Sequence, residues 1–592
     1  VAAPIGFEDK IAFVWKVADK LRGHFKQHEY GSVILPLLVL RRLDAVLAAT
    51  KDSVVKKAEP FGGDIGPGQD KLLKRVAGHS FYNVSPLTMK TLLHDDKNVA
   101  ANLRAYIRGL SPSAAEVIEA YNFGDKIARM DKAGILYAVL GDFADLDLRP
   151  DVVDNAAMGY VFEELLRKFS EMSNETAGEH YTPREVIRLM VDLLLVDAEG
   201  IETNPKPVRT VYDPTAGTGG MLTAAIDRIT ELNKRAIVDV HGQELNDETW
   251  AIARSDLMMQ GIPPERMRNG NSLTEDAYAA EHFDFILANP PYGVDWKGYS
   301  GPIKDEHTKL GWTGRFGAGL PRISDGSLLF LQHMLSKMKP DGSRVGIVLS
   351  GSPLFSGAAG SGESEIRRWI LQSDLLEGIV ALPDQMFYNT GISTYIWVLS
   401  NAKANGHRGK VVLVDARELG TKMRRSLGDK RKELTGDAIA EVVRLYRDAL
   451  DPELHDPRVK VKGSEEFGFQ RITVERPWID DLGKPVLKRG KATPDPKLRD
   501  QEDVSLPAGF HELEEEAQAK ALVESAEAYL ESEVHPYVAD AWIDHSKTKL
   551  GYEIPFTRQF YVYAPPRAVD EIATEIRTLQ KQIEVGMEGL GL

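Results

Sequence analysis

Between residues 208 and 415 short apolar runs alternate with helical stretches, and this alternation constrains the fold more than any other feature of the chain. The runs are "RTVYDP", "AIVDVHGQE", "FDFILANPP", "SRVGIVLS", "LLEGIVAL", "STYIWVLS" and "KVVLVDA". Between them lie "TAGTGGMLTAAIDRI", "LNDETWAIARSDLMMQ" and, after a Gly-rich stretch at about 297–326, "SLLFLQHMLSKM". Strands that are apolar throughout are covered on both faces. The pattern therefore predicts an α/β fold, a parallel, doubly wound, Rossmann-like sheet with its ligands at the carboxyl ends of the strands.

At 592 residues the chain is too long for a single core, and two to four domains are expected. "FEDKIAFVWKVADKLRGHF" carries a helical apolar stripe, as does "NAAMGYVFEELLRKFSEM"; "EPFGGDIGPGQD" between them is a loop. "VILPLLVL" (33–40) falls far short of the roughly 20 residues of a membrane span. It follows a charged helical stretch, unlike a signal peptide. It reads as a core helix, or a helix pair broken at Pro36. Beyond about 420 the pattern weakens. "KRGKATPDPKLRDQED" reads as an exposed connection and "HELEEEAQAKALVESAEAYLESEV" as a charged helix. Ile572, Ile576, Leu579 and Ile583 form a short coiled-coil seam, for docking on this chain or on a partner's helices. The expected organisation is an N-terminal helical domain (1–170), a catalytic sheet domain (171–425) and a mainly helical C-terminal region for subunit contacts (426–592).

Cysteine is absent, which excludes disulfides, thiolate metal ligands and a cysteine nucleophile and suits a reducing cytoplasm. No spaced His/Asp/Glu cluster suggests a metal, and no phosphate loop suggests a helicase. The net charge is -15, from 73 basic and 88 acidic residues. A chain that grips nucleic acid unaided usually carries a basic surplus. If the substrate is nucleic acid, the cations are concentrated on one face or a partner supplies part of the grip.

Three strand ends carry chemistry. In "YDPTAGTGGML" (212–222), Gly217, Gly219 and Gly220 allow a sharp turn and close approach of backbone to a ligand. No Lys-Ser/Thr pair follows, and the spacing is not that of a dinucleotide loop. Glu244, in "HGQELN", is placed to accept from two ribose hydroxyls. A glycine loop with a ribose acid and no phosphate machinery points to S-adenosylmethionine. In "ILANPPYG", Pro290 and Pro291 end the strand and donate no hydrogen bonds, leaving the Asn289 side-chain oxygen and the Pro290 carbonyl as fixed acceptors. Two such acceptors suit a planar amino group, and Tyr292 can stack on the ring that bears it. His180 and His241 lie near these segments and read as structural or surface residues.

"DPTAGTGG" with "ANPPY" resembles the S-adenosylmethionine-dependent amino-methyltransferases. "GEHYTPREVIRLMVDLL", "SDGSLLFLQHML", "GSGESEIRRWI" and "ALPDQMFYNTGISTYIWVLSN" narrow the resemblance to the modification subunits of type I restriction–modification systems, over roughly residues 1–420. The resemblance implies methylation of the exocyclic N6 amine of adenine in double-stranded DNA, with the adenine flipped out of the duplex. It implies specificity and restriction subunits as partners. It implies that Glu179, His180, Tyr181, Thr182, Pro183 and Arg184 lie over the methionine end of the cofactor, with Thr182 near its carboxylate. It gives Asp213, Thr215, Ala216, Gly217, Thr218 and Gly219 the methionine portion, Glu244 the ribose, and Asn289, Pro290, Pro291 and Tyr292 the target base. Phe387 or Tyr388 is expected to pack on that base. Asn271 departs from the family, where Asp is common at the contact to the cofactor's adenine. Two other readings remain: a self-sufficient adenine methyltransferase with its own C-terminal recognition region, and a protein-glutamine methyltransferase.

Overall fold

Residues 208–463 build a nine-stranded sheet whose strands are β1 (Val208–Asp213), β2 (Ile237–Glu244), β3 (Met267–Asn269), β4 (Phe285–Ala288), β5 (Arg344–Ser350), β6 (Leu376–Ala381), β7 (Thr394–Ser400), β8 (Lys410–Asp415) and β11 (Val459–Gly463). The intervening β9 (Thr421–Leu427) and β10 (Lys430–Glu433) form a separate hairpin. The computed structural model describes residues 13, 16–63, 65–154, 157–158, 161–162, 165, 169, 182–196, 198, 200–388, 390–427, 429–561 and 568–589. The chain divides into two units, Val1–Ile554 and Pro555–Leu592. The second contains the helix Val569–Gly589, on which Ile572, Ile576, Leu579 and Ile583 are exposed.

Strand order in the large sheet is β11-β8-β6-β7-β5-β4-β1-β2-β3. Strands β4 to β7 are buried, apart from the half-buried Arg344 that opens β5, as their largely apolar sequences require. The expected all-parallel sheet is corrected at two places. β7 runs antiparallel to both β5 and β6, and the edge strand β11 runs antiparallel to β8. The connection from β6 to β7 holds no helix among its described residues, so the chain returns in the opposite direction beside β6 instead of crossing over. The first strand lies inside the sheet, with β2 and β3 on one side and β4 on the other. The order reverses at β1, and the crevice between the carboxyl ends of β1 and β4 is the topological switch point.

The helices Arg184–Leu195, Gly220–Leu232 and Asp247–Met259 share one continuous hydrophobic core with the N-terminal helices. Tyr30–Leu47 is a single helix that runs through Pro36. The fully buried Arg42 on it donates to the carbonyls of Leu148 and Val153, at 2.5 and 2.8 Å, tying the helix to the chain that leads into the sheet.

The C-terminal region is not mainly helical. β12 (Gly468–Glu475) pairs with β15 (Asp500–Ser505), β16 (Trp542–Ile543) and β17 (Lys549–Tyr552) in a four-stranded sheet. Its small core joins Ile472, Val474 and Val504 to Ala526 and Leu530 of the charged helix. Alternation in "GFQRITVE" is the cause: Gln470 and Ile472 turn inward, and the Gln470 amide donates to the Leu522 carbonyl at 2.9 Å. The segment expected as a bare connection forms the hairpin β13 (Leu487–Lys488) and β14 (Lys491–Ala492) and then enters β15.

This second sheet is latched to the first by Arg367, on the helix Gly362–Gln372. Its guanidinium is buried and donates to the carbonyls of Tyr552, Pro353 (2.9 Å) and Ser356 (2.8 Å). Arg367→Leu removes the guanidinium from two buried carbonyls and one half-buried one, so we expect a loss of about 2–4 kcal/mol of stability. In urea unfolding monitored with limited proteolysis, residues 464–554 should become cleavable before the large sheet.

Candidate active site

The carboxyl ends of β1, β2 and β4 open onto a cleft of about 820 Å³, within the range of small-ligand sites. Its walls include Asp213, Glu244, Asn271, Asn289, Tyr292 and Phe387. On β1, Asp213 accepts the Thr215 amide at 2.9 Å, which starts the turn. Gly217 and Gly219 adopt left-handed conformations, with φ of 55° and 84°, and the helix Gly220–Leu232 begins immediately after. β2 anchors the turn from the other side. The Ala216 amide donates to the Gln243 carbonyl at 3.0 Å, and the Gly217 amide to a Glu244 carboxylate oxygen at 2.9 Å. Gly242 is required beneath it, because a Cβ there would lie 2.5 Å from Met267 Sδ.

Glu244 is held at both oxygens, the second accepting the Asn246 amide at 2.8 Å, and each oxygen keeps a further lone pair. Burial, aided by repulsion from Glu244, pushes the Asp213 carboxyl up to about 8 despite its bond from Thr215. Thr215 Oγ1 is buried at the cleft without a hydrogen-bond partner. Two acidic side chains and a turn opened by two left-handed glycines fit a polar, cationic ligand with a ribose. They therefore fit S-adenosylmethionine.

The opposite wall is the end of β4. Asn289 is held on both sides: its Nδ2 donates to Thr182 Oγ1 at 2.8 Å, and its Oδ1 accepts the Tyr292 hydroxyl. One lone pair remains on Oδ1. The Tyr292 ring meets Phe387 edge-on, with centroids 6.1 Å apart, and burial raises its phenol above the ordinary range. Of the two aromatics expected at the target base, Phe387 lines the cleft, whereas the Tyr388 ring lies 5.8 Å from Lys430 Nζ.

Other expected residues are placed as follows. Thr182 lines the cleft and its hydroxyl oxygen accepts from Asn289, which leaves its O–H to donate elsewhere; Pro183 is buried at the start of the helix Arg184–Leu195, and Arg184 is exposed. Glu179, His180 and Tyr181 lie outside the described residues. Asn271 lines the cleft, but its side-chain oxygen accepts the Leu273 amide at 2.9 Å, so only its second lone pair faces a ligand. His241 is buried among Tyr278, Phe283 and Arg266, and burial lowers its pKa. Among the described residues no group of acids and histidines could hold a metal.

A buried relay supports the cleft from below and carries no sequence signature. Arg315 donates to the carbonyls of Ser272 and Leu273, both at 2.8 Å, and to His333 Nδ1 at 3.1 Å. An Nδ1 that accepts fixes the proton of His333 on Nε2, which bonds the Tyr212 hydroxyl at 3.1 Å. Burial beside Arg315 and Lys337 keeps this histidine neutral. Ser272 Oγ in turn donates to the Pro214 carbonyl at 2.5 Å, joining the loop after β3 to the glycine turn. Leu245, Val294, Tyr299 and Ile392 also line the cleft and are exposed, the state of apolar side chains that wait for a ligand. The signal that could have found Leu245 is its position directly after Glu244 at the end of β2.

Comparison with known proteins agrees with this geometry. Residues 153–470, more than half of the chain, match the family model for N-6 DNA methylase, and residues 11–143 match the HsdM N-terminal domain. The type I restriction enzyme MjaIX methylase subunit of Methanocaldococcus jannaschii is 24% identical over 495 residues, covering 81% of this chain and 82% of that one. The HindI methylase subunit of Haemophilus influenzae is 31% identical over 288 residues, 48% of this chain and 59% of that one. Among solved structures, the type I restriction-modification system methyltransferase subunit from Streptococcus thermophilus superposes with a TM-score of 0.60 at 22% identity, over 78% of this chain and 97% of that one. The chain belongs to the N-6 DNA methylase family, as an S-adenosylmethionine-dependent, adenine-specific DNA methyltransferase of the type I modification-subunit kind.

Proposed function

We propose that this chain is the modification subunit of a type I restriction–modification complex. It methylates a flipped adenine in double-stranded DNA whose sequence a separate specificity subunit reads, and a restriction subunit joins in the full assembly. The observation that carries the reading is the placement of Asn289–Tyr292 across one cleft from Asp213 and Glu244, at the switch point of the sheet. Such a complex works where the DNA is, in the cytoplasm. The net charge of -15 supports shared DNA contacts. The exposed seam Ile572–Ile583 suits helices of the specificity subunit.

Bound S-adenosylmethionine supplies a methyl group made electrophilic by its sulfonium. The chain supplies position and fixed dipoles. Asp213 and the turn Thr215–Gly219 hold the methionine portion, and Glu244 holds the ribose. The free lone pair of Asn289 Oδ1 and the Pro290 carbonyl each accept one hydrogen of the target amine, which aims the nitrogen lone pair into the cleft. Thr182 and Tyr292 keep the Asn289 amide in the orientation this requires. Tyr292 and Phe387 offer aromatic surface to the adenine. No general base is needed before transfer. The surplus proton leaves afterwards, to water or through the Asn289 and Pro290 oxygens.

The reading is tested by transfer from labelled S-adenosylmethionine to unmethylated DNA, with nucleoside digestion. N6-methyladenine should form when the chain is co-purified with its specificity subunit. Product from the chain alone moves recognition into its C-terminal region, and labelled glutamine in protein in place of methyladenine overturns the reading. Asn289→Ala should lower kcat by about 10²–10³-fold with cofactor affinity retained. Tyr292→Ala should cost about 1–3 kcal/mol, seen mainly in KM for DNA.

Cofactor affinity should also depend on pH. In the free protein the Asp213 carboxyl is protonated below about 8. The ammonium of the methionine portion favours the carboxylate, so binding must release a proton. Between pH 6 and 7.5, where that ammonium stays charged, affinity should rise about tenfold per pH unit. Calorimetry in buffers of different ionisation enthalpy checks this, and Asp213→Asn should abolish the dependence.

A further inference from the structure

The cations missing from the overall charge balance are concentrated beside the cleft. The β9–β10 hairpin, "TKMRRSLGDKRKE", holds Lys422, Arg424, Arg425, Lys430, Arg431 and Lys432 against only Asp429 and Glu433. Lys430 is structural: it is buried and paired with Glu185, which seats the hairpin on the helix Arg184–Leu195. The others differ. Lys422 stands directly opposite Lys432 in the strand register, a like-charge pair that costs stability in an isolated hairpin. Among the described residues no carboxylate lies within ion-pair distance of Lys422, Arg424, Arg431 or Lys432. Lys422, Arg424 and Arg431 are exposed.

The hairpin is bonded to the wall of the target-base side. The Arg431 and Lys432 amides donate to the Gln385 carbonyl at 2.9 and 3.2 Å, and the Asp429 amide donates to the Tyr388 carbonyl at 2.9 Å. Phe387, between those two anchor points, presents its ring to Tyr292 inside the cleft. A strip of uncompensated cations is thus held one short loop away from the position of the flipped base. Among its described residues the hairpin exposes no large apolar side chain. Protein interfaces centre on buried Trp, Tyr and Arg anchors packed in pockets, whereas phosphate contacts draw on exposed Lys and Arg without an apolar anchor.

We propose that the β9–β10 hairpin grips the sugar–phosphate backbone of the DNA strand beside the flipped adenine, holding that strand against the wall formed by Phe387. The proposal rests on the DNA-methylase reading above. It assigns the grip to phosphates, so it is independent of base sequence.

The test uses the full chain co-purified with its specificity subunit and two fluorescein-labelled duplexes, one containing the site mapped by methyl transfer and one lacking it. Affinity is measured against KCl concentration for the wild type, for K422A/R424A/R431A, and for the charge-keeping K422R/R424K/R431K. The alanine variant should bind both duplexes more weakly by the same factor, about tenfold or more near 0.1 M salt. Its slope of log affinity against log salt should fall by about 2–3, from about 0.9 per lost phosphate contact. The charge-keeping variant should retain the wild-type slope, and cofactor affinity should be equal in all three. An unchanged slope and affinity in the alanine variant overturns the proposal. A loss confined to the duplex with the site overturns it too, since that marks base reading. Loss of the specificity subunit with an unchanged slope overturns it in favour of protein docking. A wild type that methylates adenine while the variant binds normally fails the proposal alone. A wild type that neither binds nor methylates DNA fails the functional reading with it.

Discussion

Two carboxylates buried at neighbouring strand ends, Asp213 and Glu244, organise the catalytic half of this chain. Each accepts a backbone amide from the turn after β1, so the turn is shaped by hydrogen bonds to the two carboxyl groups as well as by glycine conformation. Burial makes that arrangement costly for Asp213, whose carboxyl is pushed far above its ordinary range, with Glu244 adding to the shift. A cationic ligand relieves both effects. Without such a ligand the pocket is incomplete in charge.

The opposite side of the cleft follows a different principle. Asn289 is neutral, and its orientation is set by two hydroxyls from distant parts of the chain, Thr182 before the sheet and Tyr292 just after β4. The segment containing Thr182 had been expected over the methionine end of the cofactor. Its hydroxyl also links that segment to the Asn289 amide across the same cleft. Arg315 extends the same logic beneath the floor, joining the loop after β3 to a neutral His333 and so to Tyr212.

Most of the cleft was legible because its lining lies in contiguous motifs at strand ends: the glycine turn, Glu244 and Asn-Pro-Pro-Tyr. What the sequence did not disclose lies between motifs. Arg315 and His333 are ordinary residues on separate elements, and only the fold brings them together. In the large sheet, apolar runs marked the strands but not the direction of β7, because a fully buried strand reads alike both ways. The missing helix before it was the available clue. The C-terminal sheet is hard to read from sequence because its strands are short, its charged helix dominates the local pattern, and in "GFQRITVE" the inward residue at 470 is a glutamine. The basic hairpin was hidden by an acidic total, since net charge averages over surfaces that a ligand meets one at a time.

The position of β7 also bears on how the chain is made. It fills the gap between β5 and β6, yet it follows both in sequence. While synthesis has reached only residue 393, β5 presents a bare edge of unpaired amides and carbonyls, and β6 has no neighbour to pair with. The centre of the sheet is therefore closed from within by a late segment, and the half already holding the cofactor turn waits for it. Nascent chains halted in that interval carry an exposed, largely apolar strand edge, the kind of surface that chaperones cover.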